Sequence, residues 1–152
     1  MKKMKFSVTS VMFLGFLFLG GCKSFYSPSD VLELALGALQ ENNMEEFTST
    51  LTGPALGYYS NVQNIEALRQ RLSMYKKFET DNLRKLSTQR INSNLSVTTY
   101  TVDVLGFTSS EDLSQHVGTA TTSCTTKSKT EYRAKSADDS NKITTCLISE
   151  FR

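Results

Sequence analysis

Tryptophan is absent from the 152 residues, histidine occurs once, proline twice and cysteine three times. The single histidine, His116, rules out a His-rich metal centre, and no Cys-x-x-Cys or His-x-x-x-His spacing is present. Two prolines and eight glycines are too few for a Pro-rich linker or a collagen-like repeat. No apolar run reaches the ~20 residues of a membrane-spanning helix. Neither charge sign dominates, with 17 Lys and Arg against 15 Asp and Glu, a net of +2. There is no Lys/Arg stripe with interleaved aromatics, so nucleic-acid binding lacks its electrostatic footprint. Gly-x-Ser-x-Gly, phosphate-cradling glycine loops and a Cys/His dyad are also missing, which leaves no positive sign of an enzyme and no cofactor to expect. What is present is ordinary for a globular chain, at 39% apolar and 21% charged residues. The length suits one domain.

The amino terminus reads as an export signal, not as part of a fold. Lys2, Lys3 and Lys5 form a positive start, and residues 11–19 form a short apolar run without charge. The run ends in Leu19-Gly20-Gly21-Cys22. This ending resembles the bacterial lipobox, in which a Leu and two small residues precede a Cys. The resemblance implies that the Cys22 thiol receives a diacylglyceryl group, that a peptidase cuts before it, and that the new amine is acylated. Two or more acyl chains anchor a protein stably, whereas one holds it only marginally. The expected layout is therefore a signal peptide over 1–21, a lipidated tether over 22–27 and a single domain over 28–152. Lys23, not Asp, follows the cysteine. That resembles lipoproteins sorted to the outer rather than the inner membrane.

Residues 1–21 hold three of the 17 basic side chains and none of the 15 acidic ones, so the remainder carries 14 against 15, a net of −1. The apparent basicity belongs to the targeting segment. With Cys22 assigned to lipid, Cys124 and Cys146 remain as an even pair in an exported chain. Export permits a disulfide. Two buried thiols or a metal pair are the alternatives, and the lone histidine speaks against metal.

Ser27-Pro28-Ser29-Asp30 opens a helix: Ser27 caps it, Pro28 suits its first position, and Asp30 lies at the positive end of the dipole. Val31, Leu34, Ala35, Ala38 and Leu39 recur at helical spacing, widened by Leu32 and Leu36. Asn42-Asn43 closes this helix, and Asn43 caps a short second one carrying Met44, Phe47 and Leu51. Gly53-Pro54 reads as its break, with 55–60 undecided between packing and loop. A third helix is expected from 61 or 64 to 77, striped by Ile65, Leu68, Leu72 and Tyr75. Four strands follow, at 83–91, 95–107, 115–129 and 142–151, with turns at 92–94, 108–114 and 135–141. An antiparallel hairpin centred on residue 135 sets Cys124 opposite Cys146, close enough to bridge.

Three amino-terminal helices packed on a curved antiparallel sheet of about four strands make an α+β domain. This order, with the helix-step-helix start from Pro28 to Phe47, is similar to the nuclear-transport-factor-two-like, or cystatin-like, cone fold. The resemblance implies a conical pocket used by some members for isomerase or lyase chemistry and by others for binding alone, so fold does not select function. Polar residues placed in such pockets make Asp103, His116, Tyr100 and Tyr132 the catalytic candidates. Asp103 inside a strand is unusual. Buried with a raised pKa it would serve as a base; facing solvent, or paired with a Lys or Arg on a neighbouring strand, it would be structural. We favour the structural role for Asp103, an exposed strand-end position for His116, and packing for Tyr58 and Tyr59. The expectation is a non-enzymatic lipoprotein of the cell envelope, anchored to a membrane through Cys22. It would bind an envelope protein or a small apolar ligand. The alternative is a small-molecule isomerase or lyase with a polar residue in the cone.

Overall fold

The computed structural model describes residues 27–108, 113–128 and 142–152. Among the described residues it is an α+β unit of four helices and one open sheet of four antiparallel strands in the order β1-β2-β3-β4. The helices are α1 (Pro28–Gln40), α2 (Met44–Ser49), α3 (Gly53–Tyr59) and α4 (Val62–Leu72). The strands are β1 (Lys77–Asn92), β2 (Leu95–Phe107), β3 (Gln115–Ser128) and β4 (Lys142–Phe151).

Local chemistry starts each helix. The Ser27 hydroxyl accepts from the Asp30 amide at 3.1 Å and Pro28 opens the first turn of α1. Asn43 accepts from the Glu46 amide at 3.1 Å and donates its side-chain amide back to the Glu46 carboxylate, a reciprocal cap for α2. Helix α1 buries Val31, Leu32, Ala35, Leu36, Ala38 and Leu39 and lies across all four strands. Facing it, the sheet buries Val102, Val104, Ala120, Cys124, Cys146 and Ile148. The alternation along β2 and β3 thus sends one residue set to the helices and the other outward.

The expectation of three helices is corrected to four. Gly53-Pro54 opens α3 and does not end a helix with a loop behind it. Gly53 sits at φ +52°, a left-handed conformation that suits glycine, and Pro54 then supplies a helical φ at the first turn. The sharp turn is needed because the preceding segment is tied to the sheet. The Ile148 amide donates to the Thr50 carbonyl, and the Thr52 amide donates to the Ile148 carbonyl, both at 2.8 Å. Residues 50–52 therefore cover part of the outer edge of β4. Helix α4 stops at Leu72, not 77, and β1 begins at Lys77, not 83. The Lys76 amide donates to the Phe107 carbonyl at 2.8 Å, which draws the chain onto the sheet early.

Strand β1 pairs with β2 through three register shifts, between Asp81 and Arg84, Lys85 and Ser87, and Arg90 and Asn92. Leu83, Leu86 and Ile91 fall within these three bulges and are all more than half exposed. Each bulge inserts an extra residue and breaks the two-residue alternation, and every residue from Asp81 to Asn92 is exposed, so this stretch of β1 contributes nothing to the core. The 95–107 and 142–151 strands match expectation, as does the described part of 115–129, whose last residue lies outside the described residues. In the β3–β4 register Cys124 lies opposite Cys146, and the two form a disulfide.

Candidate functional site

The carboxyl-terminal halves of α1 and α4 meet the start of β1 around a cleft of about 260 Å³. It is lined by Leu36, Leu39 and Gln40 from α1, Arg69 and Leu72 from α4, Ser73 and Tyr75 from the turn, and Phe78 from β1. Leu36, Leu39 and Leu72 are core residues, so its floor is the apolar core itself. Tyr75 forms one wall. Its ring lies on β2 at Gly106, where an added Cβ would come within 2.5 Å of it; only glycine leaves that space. The Tyr75 hydroxyl donates to Gln115 Oε1 at 3.0 Å, and its ring meets Phe78 with centroids 5.9 Å apart. The wall is thus fixed to three strands, through Phe78, Gly106 and Gln115.

The rim carries the polarity. Arg69 Nε and Nη2 donate to the two Glu66 oxygens at 2.9 and 2.8 Å. These bonds hold the Glu66 carboxyl below its ordinary pKa and raise that of the Arg69 guanidinium. Gln70 also donates to Glu66 Oε1, at 3.3 Å. The Ser73 hydroxyl donates to the Gln70 carbonyl and the Gln40 amide to the Tyr75 carbonyl. An apolar floor with a few polar groups at its mouth is the form of a small-molecule site.

Two further concavities differ in kind. One, of about 330 Å³, is lined by Pro54, Ala55, Tyr58, Tyr59, Glu150, Phe151 and Arg152. Its Glu150 and Arg152 pair with each other. The other, of about 320 Å³, lies where the strands extend and is lined mainly by Ser, Thr, Asn, Arg90 and Lys142. Neither joins a floor of buried leucines to a rim cation.

Asp103 does not belong to the cleft. Its neighbours Val102 and Val104 face the helices, so Asp103 points to the opposite side of the sheet. It accepts from Asn82 Nδ2 at 3.0 Å and from the Thr119 hydroxyl at 2.9 Å. His116 Nε2 lies 3.2 Å from Thr119 Oγ1 and 3.6 Å from the Asp103 carboxylate. The donated bonds from Asn82 and Thr119, with smaller help from the charges of His116 and Arg84, hold the Asp103 carboxyl below its usual value. A carboxylate stabilised in its charged form is a weak base, the reverse of what proton abstraction needs. Asp103 thus sits on the face away from the helices, with Asn82 and Thr119 as its direct partners in place of a Lys or Arg.

His116 is exposed at the start of β3, beside a register shift between Val104 and Leu105. Tyr100 is partly buried against the core. Tyr59 is buried and meets Phe47 edge-on at 5.5 Å, and burial raises its hydroxyl pKa. Tyr58 is 61% exposed and packs edge-on against Tyr59. Cys22, Tyr132, the 135–141 turn and most of the 108–114 turn lie outside the described residues. The apolar stripes include Leu36, Leu39, Leu72 and Tyr75, but nothing in the pattern marks Gln40, Ser73 or Phe78 as neighbours. No protein-family model, no curated protein and no solved structure matches this chain.

Proposed function

We propose that this chain is a lipid-anchored protein of the bacterial cell envelope, held to the membrane through Cys22, with a non-enzymatic binding domain of nuclear-transport-factor-two-like form. The observation that carries the proposal is the run Leu19-Gly20-Gly21-Cys22 behind a charge-free apolar segment and a lysine start. Lys23 in the following position favours the outer over the inner membrane. The cleft between α1, α4 and β1 supports the binding half, since it offers an apolar floor to a small ligand. The position and depressed pKa of Asp103 speak against the isomerase or lyase version built on that residue. An anchor of this kind would confine the domain to one membrane face and raise its effective concentration for partners there.

Fractionation of cells expressing the wild type and Cys22→Ala tests the anchor. The wild type is expected in the membrane fraction, and the variant is expected to leave it. Equal retention of both would refute the anchor.

A further inference from the structure

We infer that the cleft takes a carboxylate amphiphile with a chain of about eight to ten carbons, its head group on Arg69 and its chain on Leu36, Leu72 and Phe78. The inference rests on reading this cleft as the binding site, and it adds the ligand's chemical class.

Size sets the chain. A cavity of about 150 Å³ takes benzene, six carbons, so a cleft of about 260 Å³ takes about ten. Longer chains would extend into solvent. The floor offers no polar partner, because Leu36, Leu39 and Leu72 are buried core residues. The ligand's polar end therefore belongs at the rim.

Charge sets the head group. Glu66 binds Arg69 through Nε and Nη2, which engages one edge of the guanidinium. Nη1 has no partner among the described residues. A guanidinium has five donors in a rigid fork, so its second edge can receive another carboxylate. A cationic head group finds no such partner, because the cleft lining contains no carboxylate. A neutral hydroxyl would gain only an ordinary hydrogen bond, weaker than a charge-assisted one.

The test uses the full chain in phosphatidylethanolamine–phosphatidylglycerol vesicles and a decanoate bearing a photoreactive diazirine. Cross-links are mapped by mass spectrometry, and decanoate, decan-1-ol and decyltrimethylammonium compete with the probe. Labelling is expected at Leu36, Leu72 or Phe78, with decanoate competing about tenfold better than decan-1-ol. Arg69→Gln should bring decanoate down to the level of the alcohol. Glu66→Gln, which frees the engaged edge of Arg69, should strengthen decanoate competition. Unchanged alcohol competition in both variants shows that the cleft is intact. Equal competition by decanoate and decan-1-ol in the wild type, or a preference for the cationic amphiphile, would overturn the carboxylate assignment and leave the cleft an apolar site. No label at the three residues would overturn both the assignment and the reading of the cleft.

Discussion

At Thr122 the sheet buries a hydroxyl that finds no partner among the described residues. An unpartnered buried hydroxyl carries a desolvation cost, so Thr122→Val, which keeps the shape and removes the polar atom, is expected to stabilise the fold by about 1 kcal/mol. Urea denaturation of the two proteins measures the difference. Asp103 has the opposite situation, with donors on both sides. Its folded pKa is depressed, so its contribution is complete above the unfolded value near pH 4. The contribution is lost as pH falls through the lower folded value. Asp103→Ala should cost about 1 kcal/mol at pH 7. The gap from wild type should narrow in acid, as measured by urea midpoints at pH 7 and pH 3. A gap that widens in acid would contradict the assignment. Asp103 inside a strand was legible as an oddity. Its partners were not, because Asn82 reaches it only through a bulge in β1, where Asn82 has φ +50°.

Among the elements, the β3–β4 hairpin was the most legible. Positions 124 and 146 are symmetric about residue 135, and the observed register pairs them directly. Such pairing follows from counting once both strands are recognised by their Thr-rich pattern. Their disulfide closes a separation of 22 residues, worth about 3 kcal/mol in the chain-entropy model. Reduction should lower the unfolding free energy by about that amount, measured as urea curves with and without dithiothreitol. An unchanged midpoint, with both thiols shown to be free, would contradict it. Helix α3 was less legible because Gly-Pro can both end and begin a helix. The deciding contact, residues 50–52 on the edge of β4, is a tertiary one. The bulges of β1 were hidden for a similar reason. A bulge is an extra residue relative to a partner strand, and Leu83, Leu86 and Ile91 read alone still suggest a strand with a buried side.

At the scale of the molecule, the net charge of +2 divides into +3 on residues 1–21 and −1 on the remainder. Among the described residues no helix is long and apolar enough to cross a membrane. The candidate cleft was only partly legible. Its leucines lie on stripes that the periodicity marks, but its shape depends on where α1 and α4 end over β1, and on Gly106 admitting the Tyr75 ring. The account joins this domain to a membrane through one atom, the sulfur of Cys22. The most direct test is the mass of the amino-terminal peptide of the protein recovered from cell membranes. The account predicts a chain beginning at Cys22 whose mass exceeds that of the bare peptide by a diacylglyceryl group, with or without an amide-linked acyl chain. A chain in which Cys22 is unmodified, or is preceded by uncut residues, would contradict it.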